Sequence, residues 1–269
     1  MLGAIFGDIV GSRLEFNNIR SKDFDLFTNE SSVTDDSIMT LSVAKAIMAC
    51  GGQWDQLGEQ AVRWMRSIGQ GYQDCGYGGM FFRWMFSGNP QPYNSFGNGA
   101  AMRVSPCGFA AQTEDEAKLL SRRVTEVTHN HPEGIKGAEA TTVAIFMARQ
   151  GASQQKIGRR IKRDYYAIDF TLDKIRDTYR FNETCQQTVP QAIEAFLEST
   201  SFEDAIRNAI SIGGDSDTLA AITGGIAEAY YGIPDDLRDQ ALRHLDPVLL
   251  QIYDEWQVFM QNRGSVDAE

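Results

Sequence analysis

Apolar residues recur at intervals of three and four along most of this chain, which is the spacing of a helix with one buried face. After Thr34, for example, Ile38, Leu41, Ala44 and Met48 fall on one side of a helix. The same spacing marks residues 54–68, 113–127, 133–149, 201–212 and 216–231. The alternation typical of β-strands is nearly absent, so the pattern predicts an all-α fold.

Capping residues mark several of the predicted helix ends. One capping box is formed by Thr113 and Glu116, and another by Thr200 and Glu203. Gly232 follows the segment 216–231 and is the kind of residue that ends a helix. These signals support the helical interpretation of the apolar spacing.

The segment 70–110 departs from this pattern because it is rich in glycine, as in Gly76-Tyr77-Gly78-Gly79 and Gly97-Asn98-Gly99. Glycine permits close approach of the backbone to a ligand, although a plain surface loop explains the glycine content equally well. Gly97-x-Gly99 lacks a third glycine and no predicted strand precedes it, which excludes a dinucleotide-binding Rossmann motif.

The composition is that of an ordinary globular protein, with 42% hydrophobic and 23% charged residues in 269. No Pro-, Ser- or Gly-rich linker and no charge run divides the chain. We therefore expect one domain over residues 1–263, followed by a short C-terminal tail at 264–269.

The balance of 25 basic against 36 acidic residues gives a net charge of −11. Because this charge repels a phosphate backbone, nucleic acid is disfavoured as a partner except as a modified substrate. The segment from Met1 to Val10 is apolar but short, has no basic flank and contains Asp8, so it fits neither a signal peptide nor a membrane span. We expect a cytoplasmic monomer without a membrane partner.

Two short acidic clusters lie where helical segments begin: Thr34-Asp35-Asp36-Ser37, and Asp215-Ser216-Asp217-Thr218 directly after Gly213-Gly214. Asp, Ser and Thr are favoured at helix N-caps, and carboxylates suit the positive end of the helix dipole. Helix capping therefore explains either cluster on its own.

Together the clusters hold four carboxylates and two threonines, which is more than capping uses. If the fold brings them together, cations have to offset the repulsion between the carboxylates. Oxygen ligands without His or Cys indicate Mg²⁺, Mn²⁺ or Ca²⁺ rather than zinc. Four carboxylates balance two divalent ions, and such paired sites orient and activate water.

The clusters belong to an ordered set of motifs that resembles the ADP-ribosylglycohydrolase family and runs almost end to end. Each motif alone is weak, whereas the ordered set is specific. In chain order the motifs are Gly3-Ala4-Ile5-Phe6-Gly7-Asp8-Ile9-Val10-Gly11 with Glu15, Thr34-Asp35-Asp36, Gly76-Tyr77-Gly78, Ser95-Phe96-Gly97-Asn98-Gly99 with Ala101-Met102-Arg103, Thr128-His129, and Gly213-Gly214-Asp215-Ser216-Asp217-Thr218.

The resemblance implies a compact, single-domain orthogonal helical bundle with two Mg²⁺ ions, replaceable by Mn²⁺, at the base of a cleft. The metal ligands it implies are Thr34, Asp35, Asp36, Asp215, Asp217 and Thr218. The substrate-binding residues it implies are Gly76, Gly78, Ser95, Phe96, Gly97, Asn98, Gly99, Met102 and His129, with Phe96 against the adenosine.

The resemblance also assigns catalytic roles to Glu15 and Asp36. Without it, a glutamate at position 15 is most often a solvated surface residue. Asp74 is a further carboxylate candidate, and Asp8 and Arg103 could equally be structural.

The function implied by the resemblance is Mg²⁺-dependent hydrolysis of the ribosyl bond in ADP-ribosyl conjugates. The partners are then ADP-ribose and an ADP-ribosylated substrate, with a protein modified on arginine as the first hypothesis. Such hydrolysis passes through an oxocarbenium-like transition state and uses a carboxylate close to the anomeric carbon or to the attacking water. A metal-dependent phosphohydrolase and a non-catalytic ADP-ribose-binding protein remain as alternatives.

Overall fold

The computed structural model describes residues 1–266 of the chain, which fold into helices joined by loops. Within that range the single β-type pairing is an isolated bridge between Gly97 and Thr184, so the predicted all-α, single-domain fold is confirmed. The helices are α1 Leu2–Gly11, α2 Asp35–Cys50, α3 Leu57–Gly69, α4 Gly79–Phe86, α5 Gly99–Met102, α6 Ser105–Ala110, α7 Glu114–Thr125, α8 Pro132–Arg149, α9 Gln154–Asp164, α10 Leu172–Ile175, α11 Cys185–Leu197, α12 Phe202–Ile210, α13 Ser216–Tyr231, α14 Asp235–Leu242 and α15 Pro247–Val266, with short 3₁₀ turns at Ser12–Leu14 and Trp54–Gln56.

Helix α13 lies at the centre of the bundle and packs against α1, α8, α11 and α12. All residues of α1 are buried, as are residues 216–227 of α13. Helix α2 packs against α1 on one side and against α3 and α15 on others. The two acidic clusters therefore start two helices that both pack directly on α1.

Close contact between α1 and α13 depends on glycines spaced four residues apart in α1. A Cβ atom on Gly7 would lie 2.0 Å from the Ala220 carbonyl oxygen, and one on Gly11 would lie 2.5 Å from the Asp217 Cα. Residues four apart share one helix face, so this glycine face lets the two backbones touch. It brings the end of α1 against the first turn of α13.

The structure refines the sequence predictions in three places. Segment 70–110 is not all loop, because α4 forms where Phe81, Trp84 and Met85 share one buried face. The N-cap of α12 is Ser201 rather than Thr200, since the Ser201 hydroxyl accepts the backbone N–H of Asp204. The C-terminal tail predicted at residues 264–269 begins within α15, and residues 267–269 lie outside the described part of the chain.

None of the helices within residues 1–266 combines the length and the apolar character needed to cross a bilayer.

We predict that Gly7→Ala destabilises the fold by about 2–4 kcal/mol, because the added Cβ meets backbone that cannot rotate away. Gly58→Ala is the matched control, since its Cβ would meet atoms only at 3.6 Å and alanine favours a helix. Urea unfolding of both variants measures the difference. Equal free energies of unfolding for the two variants would contradict the close α1–α13 contact.

Candidate active site

A cleft of about 450 Å³ opens above the first turns of α2 and α13. This volume falls in the range of small-molecule and cofactor sites. The predicted site residues that line it are Glu15, Thr34, Asp35, Asp36, Gly76, Gly78, Ser95, Gly97, Asn98, Gly99, Met102, His129, Asp215, Asp217 and Thr218.

The first acidic cluster is held by Asp8, which is fully buried in α1. Its carboxylate accepts the backbone N–H of Thr34 at 2.9 Å and that of Ser37 at 3.0 Å. It also accepts both hydroxyls, with Thr34 Oγ1 at 2.6 Å. Asp8 therefore fixes the start of α2. The Thr34 hydroxyl also accepts the backbone N–H of Asp36 at 3.3 Å, which leaves it one lone pair for a ligand.

The second cluster follows a turn in which Gly213 and Gly214 have φ angles of +67° and +82°, where a side chain would be strained. Asn98 donates to the Asp215 carboxylate at 2.7 Å. Thr218 donates to the Asp36 carboxylate at 3.2 Å, which joins clusters 182 residues apart in the chain. The convergence of the two clusters predicted from the sequence is thus present in the fold.

The buried carboxylates repel one another. Burial and the neighbouring carboxylates raise the pKa values of Asp35, Asp36 and Asp217 well above their ordinary range. Asp36 Oδ1 is buried without a hydrogen-bond partner within the described structure. Carboxylates that together resist ionisation are stabilised as anions by a nearby cation, and the oxygen-only donor set fits a hard divalent ion.

Glu15 joins this group from the loop after α1. One carboxylate oxygen from each of Glu15, Asp215 and Asp217 lies within 4.8 Å of the other two. Partial burial, then the charges of Asp215, Glu183 and Asp8, raise the pKa of Glu15 to about 7. Glu15 is therefore not the solvated surface residue that its position in the sequence alone would suggest.

Asn18 sets the position of Glu15, a role that the sequence did not reveal. Its side-chain amide donates to the carbonyls of Glu15 at 2.9 Å and Gly214 at 2.8 Å, and its oxygen accepts the Gly214 N–H at 2.7 Å. Asn18 thus ties the Glu15 loop to the turn before Asp215. The sequence signal for this role was an asparagine shortly after the glycine-containing end of α1, but asparagine is common in ordinary turns.

The loop before α5 forms another wall of the cleft. Ser95 Oγ accepts the backbone N–H of Gly97 at 3.1 Å, and Gly99 lies close to His129. Burial and the nearby Arg103 guanidinium lower the pKa of His129 well below its ordinary value, so the imidazole is neutral at pH 7. Arg103 is buried, supports this wall by donating to Thr128 Oγ1, and also lines the cleft.

Phe96 is the predicted binding residue that does not line the cleft. Its side chain is 44% exposed, and its ring centroid lies 5.2 Å from that of His131. Its predicted contact with the adenosine stays a prediction. Asp74 is exposed and also lies outside the cleft lining.

Other residues line the cleft that sequence reasoning did not assign, among them Arg83, Tyr93 and Glu183. Arg83 lies on α4, while Tyr93 packs against the His129 ring with centroids 5.7 Å apart. These residues carry no local motif, so only the folded arrangement reveals them.

Fold and site together define an all-helical protein whose cleft combines a nucleotide-sized volume with an oxygen-only carboxylate cluster. The chain belongs to the ADP-ribosylglycohydrolase family, whose model matches residues 1–264. This match confirms the predicted family and the predicted enzyme class, an ADP-ribosylglycohydrolase.

Two bacterial relatives match most of the chain. The ADP-ribosylarginine hydrolase Tri1 of Pseudomonas putida is 26% identical over 261 residues, covering 87% of this chain and 70% of the relative. The ADP-ribosyl-[dinitrogen reductase] glycohydrolase of Rhodospirillum rubrum is 26% identical over 230 residues, covering 80% and 74%.

The similarity to the human ADP-ribosylhydrolase ARH3 is more local, with 26% identity over 185 residues. That match spans about half of each protein, 52% of this chain and 51% of the relative. A solved structure titled "ADP-ribosylglycohydrolase-related protein complex" superposes with a TM-score of 0.62 over 94% of this chain and 96% of that one. At 23% identity this superposition supports the fold alone.

We predict that Asn18→Ala lowers the free energy of unfolding by about 1–3 kcal/mol, because it leaves the Gly214 N–H and nearby carbonyls without their partner. Asn17→Ala is the matched control, since Asn17 is a neighbour of the same type and, like Asn18, is exposed, whereas the hydrogen bonds to Gly214 come from Asn18. Urea titration of both variants tests this role. A similar small loss in both would show that Asn18 does not tie the two loops together.

Proposed function

We propose that this protein is a Mg²⁺-dependent hydrolase that cleaves the ribosyl bond of ADP-ribosyl conjugates and releases ADP-ribose. The observation that carries the proposal is the convergence of both acidic clusters with Glu15 at the base of one cleft. The family match supports ADP-ribosyl hydrolysis, and the activities for which the relatives are named agree with it.

Two Mg²⁺ ions, replaceable by Mn²⁺, are proposed because the four carboxylates of the two acidic clusters need four positive charges for balance. Thr34, Asp35 and Asp36 would hold them from α2, and Asp215, Asp217 and Thr218 from α13. Bound there, the ions supply Lewis-acid chemistry and lower the pKa of a water molecule.

The remaining walls are proposed to bind the ADP-ribose part of the substrate. The Gly76–Gly79 and Ser95–Gly99 loops expose backbone to the cleft, which suits phosphate and ribose oxygens. His129 is held neutral and adds no charge beside the diphosphate. This arrangement orients the sugar so that its anomeric carbon faces Glu15.

Glu15 is proposed to act on the reacting atoms. Its carboxylate stabilises positive charge developing on the ribose and takes the proton of the attacking water. The water oxygen then bonds to the anomeric carbon as the bond from that carbon to the acceptor breaks, and the proton taken by Glu15 passes to the departing acceptor. Asp36 is the second catalytic candidate, since one of its oxygens lacks a hydrogen-bond partner within the described residues.

Arginine is proposed as the acceptor because the relative from Pseudomonas putida carries that activity in its name and matches 87% of this chain. The cytoplasmic location and the monomeric state stay predictions from the sequence.

Reaction products separate the proposal from its two alternatives. Incubation of an ADP-ribosylated arginine peptide should yield intact ADP-ribose and unmodified peptide, identified by mass spectrometry. Free phosphate or AMP would instead indicate the phosphohydrolase. Tight binding of ADP-ribose without any product would indicate the non-catalytic binder.

We predict that EDTA abolishes turnover and that Mg²⁺ or Mn²⁺ restores it, with no preference for Zn²⁺, because all ligand candidates are oxygen donors. The cation should also raise the melting temperature by relieving repulsion among the carboxylates. Thr34→Ala should impair turnover less than Asp217→Ala, since it removes a neutral ligand. Full activity in a metal-stripped sample would overturn the metal assignment.

We predict that Glu15→Gln lowers turnover by about 10²–10⁴-fold at saturating Mg²⁺, the scale of one acid–base group. ADP-ribose affinity and folding should stay close to those of the wild type, because the side chain keeps its shape. Glu59→Gln, at an exposed position on α3, is the control and should have no effect. Unchanged turnover in Glu15→Gln would leave Asp36 as the catalytic carboxylate.

A further inference from the structure

Two large aromatic side chains are exposed to solvent next to each other. Phe16 is 81% exposed and Phe181 is 41% exposed. Their rings are stacked, with centroids 6.0 Å apart and an angle of 25° between the planes. Contiguous exposed apolar surface marks interaction sites, whereas single scattered apolar side chains do not, and these two rings are contiguous.

The pair lies beside the acidic side of the cleft. Phe16 directly follows Glu15, and Phe181 precedes Glu183 by two residues. Both glutamates line the cleft, together with Asp215. The charge of Glu183 is close enough to raise the pKa of Glu15, so the two carboxylates share one region. Neither ring is part of the cleft lining, but the backbone that carries the pair also carries two of the cleft carboxylates.

The segment that carries Phe181 and Glu183 is held in place. The Arg20 guanidinium donates to the Tyr179 carbonyl at 2.7 Å and to the Ile212 carbonyl at 2.7 Å. The Glu183 carbonyl accepts the backbone N–H of Asn98 at 2.7 Å. The rim is thus attached to the same structure that positions the acidic cleft.

Carboxylates outnumber basic groups at this rim, where Glu15, Glu183 and Asp215 line the cleft and Arg180 adjoins Phe181. Arg180 is the basic residue next to the pair, and its guanidinium donates to the carbonyls of Asp177 and Tyr179 within its own loop. Its hydrogen bonds are therefore made away from the carboxylates. With the Arg180 guanidinium bonded to backbone carbonyls, the rim offers a ligand two aromatic rings and a net negative charge.

We propose that Phe16, Phe181 and Glu183 form an acceptor subsite that binds the guanidinium group of an arginine carrying ADP-ribose. A guanidinium is flat and cationic, so it stacks on aromatic faces and pairs with a carboxylate through two parallel hydrogen bonds. A neutral serine linkage or an acetyl ester offers neither interaction. The inference rests on the proposed function, because it identifies the residues that bind the leaving group of that proposed reaction.

The direct test measures binding of agmatine, a small guanidinium compound, to the protein saturated with ADP-ribose and Mg²⁺. Agmatine affinity, followed by NMR titration, should fall about 3- to 30-fold in the Phe16→Ala/Phe181→Ala double variant, the range expected for cation–π contacts. It should fall about 10-fold in Glu183→Gln, which loses a charge-assisted hydrogen bond. Phe86→Ala, at a 44% exposed aromatic outside the cleft lining, is the control and should bind agmatine normally.

Calorimetry with free ADP-ribose separates the acceptor side from the adenosine side. All these variants should bind ADP-ribose as the wild type does, while kcat/KM for an ADP-ribosylated arginine peptide falls in parallel with agmatine affinity. Loss of ADP-ribose affinity in the double variant would instead place the adenine on the rings and overturn the proposal.

Wild-type protein that fails to bind agmatine, or variants that bind it normally, would also overturn the acceptor subsite even if turnover is observed. Agmatine binding that depends on these residues in a protein without turnover would keep the subsite and reject the proposed hydrolysis. The two hypotheses therefore fail on different measurements.

Discussion

The repulsion among buried carboxylates is the constraint on which this structure depends. Asp36 and Asp217 are almost completely enclosed, and neighbouring acids raise the pKa of each well above its ordinary range. Such a cluster costs folding free energy unless hydrogen bonds and cations offset it. Asp8 illustrates how the fold responds. Its carboxylate accepts four hydrogen bonds from the start of α2 and is not among the carboxylates that line the cleft. The protein thus separates carboxylates that support the site from carboxylates that can bind a cation.

Helix α1 links the repulsion among the carboxylates to the packing of the helices. Its glycine face allows direct contact with α13, and the same helix carries Asp8, which holds the start of α2. The first turns of α2 and α13 are consequently placed by one helix, with Thr218 donating across to Asp36. Any residue larger than glycine at position 7 would displace backbone, and that displacement would be transmitted to both acidic clusters. The stability of the core and the geometry of the site are therefore set by the same contact.

Helix positions and the acidic clusters were predictable because they depend on local spacing, as in the apolar face of α2 and the clusters at two helix starts. The ordered motifs also predicted the family and most of the residues that line the cleft. Asn18 and Glu183 could not be found in this way, because their roles arise from contacts with Gly214 and Asn98 far away in the sequence. Phe96 lies in a motif that correctly identified a loop of the cleft, yet its ring is exposed to solvent. A motif therefore identifies a loop without fixing where each side chain of that loop lies. A single sequence reveals features that depend on neighbouring residues, whereas contacts between residues far apart in the chain require the folded structure.

The cleft has two sides that differ in how freely they can vary. On the cation side, Asp8, Asp36 and Thr218 belong to one buried hydrogen-bond network, so a change at any of them leaves a buried polar group without its partner. On the rim, Phe16 and Phe181 are solvent-exposed, and substitutions at such positions usually change stability by less than about 0.5 kcal/mol. If the rim binds the acceptor as proposed, substitutions there can alter acceptor recognition while the buried carboxylates keep their arrangement. That separation gives a physical reason why one helical scaffold can support related hydrolases that release ADP-ribose from different acceptors.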